Sequence, residues 1–163
     1  MALSLEEQLV NRLIEKNWHI SCAESCTGGL VAAHIVNVAN ASSVLDVSFV
    51  TYANEAKMKY VNVSPDTIAA YGVVSEEVVR EMALGVAEAA DSEVGIGISG
   101  IAGPGGGTDK KPVGMVCFGF SVNGTVTTRT MQFGAAGRNE VRRRSTEYAL
   151  QTILELLSGI VTP

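Results

Sequence analysis

The chain is poor in the residues that build metal centres and covalent staples. Its three cysteines, Cys22, Cys26 and Cys117, are odd in number and lack paired metal-ligand spacing, which argues against a disulfide scaffold or a zinc site. The two histidines, His19 and His34, are too few for a histidine-rich metal centre, and no cofactor is expected. Although 47% of the residues are hydrophobic, no apolar run approaches the ~18 residues of a membrane span. The opening Met1-Ala2-Leu3-Ser4-Leu5-Glu6-Glu7 is acidic and amphipathic, the wrong start for a secretory signal, and the cytoplasm is the expected location. Positive charge is sparse as well. The net charge is −5 and the longest basic run is Arg142-Arg143-Arg144, whose members point roughly 100° apart on a helix. General nucleic-acid binding is therefore not expected. No G-x-x-x-x-G-K-[ST] loop occurs, and no G-x-G-x-x-G follows the first strand-like run, which removes support for nucleoside triphosphates and dinucleotides.

What is present reads as one domain over residues 1–163, with no internal repeat or linker. Ser4 and Glu7 form a capping box for a helix to about Lys16, with Leu5, Leu9 and Leu13 on one face. Strands are expected over 18–24, 44–52, 94–98, 113–122 and 125–133. Helices are expected over 28–38, 55–60, 65–71, 75–90 and 139–157. Asn123-Gly124 joins the last two strands as a hairpin, because both turn positions require positive φ. Gly95 and Gly97 interrupt the alternation of Val94, Ile96 and Ile98 and would let a helix pack close. The sum is an α/β fold: a three-layer α/β/α sandwich around a mixed, mostly parallel sheet of about five strands with one antiparallel hairpin. The apolar second half of the last helix predicts deep packing or a subunit interface, which makes a homodimer an expectation.

Three segments follow strands and converge on one rim if those strands run parallel. The first is Ala23-Glu24-Ser25-Cys26-Thr27-Gly28-Gly29, where a hydroxyl sits between a strand end and a helix start. Free N–H groups of the first helical turn can hold an oxyanion or a phosphate there, with Thr27 as the cap and the glycines allowing close approach. Glu24, Lys110 and Lys111 are read as ordinary solvated loop residues. The second is Tyr52-Ala53-Asn54-Glu55-Ala56-Lys57. The third is Ser99-Gly100-Ile101-Ala102-Gly103-Pro104-Gly105-Gly106-Gly107; the stretch Gly97–Gly107 holds six of the chain's 17 glycines, as if shaping backbone around a small ligand.

Those segments, with Gly72-x-Val74-Ser75-Glu76 and Lys111-Pro112-Val113-Gly114, occur in an order that resembles the CinA C-terminal domain family across about residues 5–157. Enzymatic members of that family are nicotinamide-nucleotide amidohydrolases of the PncC type. The resemblance implies hydrolysis of the carboxamide of nicotinamide mononucleotide to nicotinate mononucleotide and ammonia, in pyridine nucleotide salvage, without a metal. It implies Ser25 as nucleophile and Lys57 as base. It further implies Tyr52, Asn54, Ser99, Gly100 and Arg138 at the substrate, with Arg142 nearby. From the local geometry, N–H groups near Cys26 and in the Ser99–Gly103 loop are expected to face the oxyanion, and either the helix start at Thr27–Gly29 or Arg138 the 5′-phosphate. Cys26 is the alternative nucleophile, and the resemblance favours Ser25. The chemistry agrees: a serine hydroxyl needs a base, and a lysine serves if burial brings its pKa from ~10.4 toward 7–8. Tyr52, Ala53 and Ala56 are the expected source of that dry setting. The chain departs from the family pattern at Ser99, usually Thr, and at Gly137, where an Asp usually precedes Arg138. The other reading is a non-catalytic nucleotide-binding or regulatory module of the same fold.

Overall fold

The computed structural model describes residues 1–163. Helix α1 (Leu5–Lys16) starts on the expected capping box: Ser4 Oγ accepts from the Glu7 amide, and the Glu7 carboxylate accepts from the Ser4 amide. Strand β1 (Ile20–Glu24), helix α2 (Leu30–Val36), a 3-10 turn (Ala41–Ser43) and strand β2 (Phe49–Val50) follow. Helices α3 (Asn54–Val61), α4 (Pro65–Tyr71) and α5 (Glu76–Ala90) lead to β3 (Val94–Gly100), β4 (Met115–Val122), β5 (Thr125–Gln132) and α6 (Arg138–Leu157).

The sheet order is β2-β1-β3-β4-β5. β1 pairs in parallel with β2 and β3, while β4 is antiparallel to both β3 and β5, so β4 alone runs against the other strands. One face carries α1, α2 and α6, whose Leu9, Leu13, Val31, Ile35, Leu150 and Ile153 pack with Ile96, Ile98, Phe118 and Phe120. The other carries α5, whose Val78, Val79, Met82 and Val86 pack with Ala23, Val61 and Cys117. Each of these fully buried large side chains contributes about 1.5–3 kcal/mol of transfer free energy. Gly95 and Gly119 admit α5 closely: a Cβ on either would lie 2.2 Å from a carbonyl oxygen of that helix, of Ala83 and Val79 respectively. The apolar second half of α6 is accounted for by deep packing, since Ala149, Leu150, Ile153, Leu154 and Leu157 are all buried in the chain's own core.

The expected strand over 44–52 shrinks to the two residues of β2. The segment still runs beside β1, with the Ile20 amide donating to the Val44 carbonyl at 2.8 Å. However, the Cys22 amide is taken by the Ser48 hydroxyl, and Asp46 engages the His19 ring at 2.7 Å. Short polar side chains compete with backbone groups for ladder positions, which apolar alternation does not reveal.

This topology positions the site. β1 connects to β2 on one side and neighbours β3 on the other, which creates a crevice at the carboxyl ends of the parallel strands. The segments after β1, β2 and β3 open there. So does the segment entering antiparallel β4, because its amino end lies beside the carboxyl end of β3.

Candidate active site

Ser25 follows β1 directly, and its amide donates to the Ile98 carbonyl, which ties the start of the turn to β3. The Gly28 amide donates back to the Ser25 carbonyl at 3.0 Å. Across a trans peptide the N–H points opposite to the C=O, so the Cys26 amide is directed away from that turn and donates to no backbone carbonyl.

The turn is held from outside by two charged side chains. Glu24 is 1% exposed, and its carboxylate accepts from the Val31 and Ala32 amides at 2.9 and 3.1 Å. This corrects its reading as a solvated loop residue. It also corrects the expected cap: α2 begins after Gly29, at φ 102°, and Thr27 is buried with its hydroxyl unpartnered. The α2 N-terminus is thus already occupied by a carboxylate and is closed to a substrate phosphate. From α6, Arg142 Nε donates to the Cys26 carbonyl at 2.9 Å, and another guanidinium nitrogen reaches the Thr27 carbonyl at 3.3 Å.

Lys57 lies one helical turn into α3 and points inward; it is 1% exposed. Its Nζ is 3.2 Å from Ser25 Oγ, 2.7 Å from the Thr51 carbonyl oxygen and 3.4 Å from that of Tyr52. Carbonyls only accept, so they engage two N–H bonds of the amine. In the neutral amine the lone pair is then left for the serine hydroxyl. Burial lowers the Lys57 pKa from 10.5 to about 8. The expected shelter from Tyr52 and Ala53 is not what provides it, since both are exposed. The amine is dry because it turns beneath the chain, onto its carbonyls.

Ser25 and Cys26 open into a hollow of 420 Å³ that Tyr52 and Arg138 border on one side. Val74, Ile101 and Ala102 give it an apolar lining, while Gly100, Gly103, Gly105 and Gly106 bring backbone to its surface. Arg138 donates to the Tyr52 hydroxyl and to the Gly103 carbonyl, both at 2.8 Å. With Gly137 in place of an acidic neighbour, these two contacts orient the guanidinium. Burial pushes the Cys26 thiol up to about 11, which leaves it protonated and a weak nucleophile near neutral pH. No group of three or more His, Cys, Asp or Glu side chains is arranged to hold a metal ion.

The model of the CinA C-terminal domain matches residues 2–157. The chain belongs to the CinA C-terminal domain family. It is 50% identical to the nicotinamide-nucleotide amidohydrolase PncC of Enterobacter agglomerans over 140 residues, 85% of each chain. It is 47% identical to a CinA-like protein of Kosmotoga olearia, covering 97% of this chain but 38% of that one. The chain thus spans little more than a third of the length of such curated CinA relatives. Among solved structures, the competence damage-inducible protein A of Klebsiella pneumoniae superposes with a TM-score of 0.91 at 36% identity, covering 94% and 95% of the two chains.

Of the residues expected at the site, Ser25, Cys26, Tyr52, Gly100 and Arg138 line the hollow, and Lys57 stands behind Ser25. Thr27 is buried beneath the turn and Gly28 closes it. Ser99 is buried on β3 opposite Cys117, and Asn54 is exposed at the start of α3. Arg142 grips the Ser25 turn from behind, and neither it nor Thr27, Gly28, Asn54 or Ser99 lines the hollow. Sequence reasoning overlooked three participants. The Thr51 carbonyl leaves no side-chain signal. Glu24 carried one, an acid shortly before a helix start. Lys111 stood in a motif of the family and was passed over as a loop residue, yet it lines the hollow.

Proposed function

We propose that this domain hydrolyses the carboxamide of nicotinamide mononucleotide, releasing ammonia and nicotinate mononucleotide. The observation that carries this reading is the contact between Lys57 Nζ and Ser25 Oγ, with the amine sequestered and held by two carbonyls. The name of the Enterobacter agglomerans relative supports the choice of substrate.

Ser25 Oγ attacks the carboxamide carbon while its proton passes to the neutral amine of Lys57. The Cys26 amide, free of backbone partners, donates to the oxyanion as it forms; one such donor is worth ~3–4 kcal/mol in comparable sites. Collapse breaks the C–N bond, and Lys57 returns its proton to the departing nitrogen, which leaves as ammonia. Water then attacks the serine ester, its proton goes to Lys57, and the carboxylate leaves as Ser25 recovers a proton. The apolar lining receives the pyridine ring, and Tyr52 with Arg138 borders the reacting end. The reaction belongs to cytoplasmic salvage of pyridine nucleotides.

Ammonia release from nicotinamide mononucleotide by the purified protein tests this directly. Stoichiometric nicotinate mononucleotide is expected. Tight binding without any ammonia would overturn it in favour of a nucleotide-binding regulatory module.

A further inference from the structure

The hollow has a second cation besides Arg138. Lys111 enters it from the segment before β4, whereas Ser25 and Tyr52 follow β1 and β2. In the sheet, β1 and β4 are separated by β3 alone, two interstrand steps or about 10 Å. A mononucleotide covers such a span; a free nicotinamide ring does not. Between the two ends lie the apolar Ile101 and Ala102.

Lys111 is held in place before any ligand arrives. Its amide donates to Thr108 Oγ1 at 3.0 Å, and the Thr108 amide donates to the Lys111 carbonyl at 2.8 Å. Its Nζ donates to the Tyr71 carbonyl at 2.5 Å. An ammonium has three donors, so this contact fixes the charge and leaves N–H bonds for a ligand. No carboxylate pairs with it. Arg138, the other cation of the hollow, spends two of its five N–H donors on the Tyr52 hydroxyl and the Gly103 carbonyl. A neighbouring open hollow of 540 Å³ also touches Lys111, but there Glu76 and Glu77 offset the positive charge of Lys111 and Arg80, whereas no carboxylate lines the hollow at Ser25.

We infer that Lys111 is the specificity-determining residue that receives the 5′-phosphate of the substrate and so distinguishes the nucleotide from its nucleoside. This rests on the proposed carboxamide chemistry at Ser25 and adds the recognition of the far end of the molecule.

The test compares nicotinamide mononucleotide with nicotinamide riboside, which carries the same carboxamide but no phosphate. Ammonia release and calorimetric binding are measured for the intact protein, Lys111→Gln, Lys111→Arg and Arg138→Ala. A lost charge-assisted hydrogen bond predicts a fall of about 10- to 100-fold in preference for the nucleotide in Lys111→Gln, chiefly through KM. Lys111→Arg should restore part of it, which repair of the Tyr71 contact alone would not bring about. An unaltered preference in Lys111→Gln, or its collapse only in Arg138→Ala, overturns the assignment. If the intact protein releases no ammonia, the hydrolase reading fails, and the binding preference alone decides the role of Lys111. Binding of neither compound would overturn that role too.

Discussion

The amine of Lys57 lies closer to the carbonyl oxygen of Thr51 than to the hydroxyl of Ser25, 2.7 against 3.2 Å. Its orientation is thus set by backbone, with the reacting hydroxyl as the remaining partner. Lys57→Arg should therefore not substitute, because a guanidinium stays protonated and cannot act as base. Ser25→Ala, Lys57→Met and Lys57→Arg should each lower kcat for ammonia release by at least about a thousandfold, as expected when members of one unit are removed. Calorimetry should still register nicotinamide mononucleotide binding to Ser25→Ala. Residual turnover near the intact level in Ser25→Ala would move the nucleophile elsewhere.

The lowered pKa of Lys57, about 8, fixes the sign of two pH dependences. As a base, Lys57 must be neutral, so kcat/KM should rise with pH up to about 8 and level off above it. For stability, the folded value lies below the ordinary 10.5, so the folded chain binds fewer protons between the two. The intact protein should thus gain stability relative to Lys57→Met as pH rises from about 8 toward 10.5, and lose that gain as pH falls back through 8. Parallel denaturant titrations of the two proteins across this window check the linkage. A rate that falls across the same rise in pH would contradict the assignment of Lys57 as base.

Glu24 accepts from two amides that would otherwise lie unpaired beneath the surface. Glu24→Ala should cost about 1–3 kcal/mol in denaturant unfolding. Glu24→Gln should recover only part of this, since one carboxylate oxygen becomes a donor facing an N–H. Ammonia release should fall in both variants, because Ser25 is the next residue. Unchanged stability in Glu24→Ala would show that water satisfies those amides equally well.

The parts of this molecule that were legible beforehand are those whose cause is local. The Ser4–Glu7 box and the Asn123-Gly124 turn each state their geometry within a few residues, and α1 and the β4–β5 hairpin lie where they indicate. The segment before β2 carried an equally apolar pattern but lost its regularity to Ser48 and Asp46, whose partners stand on and beside β1. The site divides in the same way. Ser25 and Lys57 emerge from ordered motifs, whereas Glu24, Thr51 and Lys111 act through amides, a carbonyl and a cavity wall that exist only after folding. Arg142 shows the converse: its match to the family suggested a place near the ligand, and its contacts are with the turn that carries Ser25.

Gly85 tests whether α3 must sit where it does. It lies within α5, where alanine would ordinarily be favoured by about 1 kcal/mol. A Cβ there would fall 1.7 Å from the Val61 carbonyl oxygen at the end of α3, an overlap with backbone that no rotamer relieves. α3 must then retreat from α5, and Lys57, one turn into α3, must move with it. Overpacking of this kind typically costs 1–3 kcal/mol, so Gly85→Ala should be destabilised despite its better helix propensity. The larger effect should fall on catalysis, since Nζ is only 3.2 Å from Ser25 Oγ and has little slack to lose. Unfolding and ammonia release measured on the same preparation separate the two effects: kcat should drop tenfold or more in protein that is still fully folded at the assay temperature. A variant that gains stability would mean that the approach of Val61 to α5 is looser than 1.7 Å implies, and that the placement of Lys57 does not depend on this glycine.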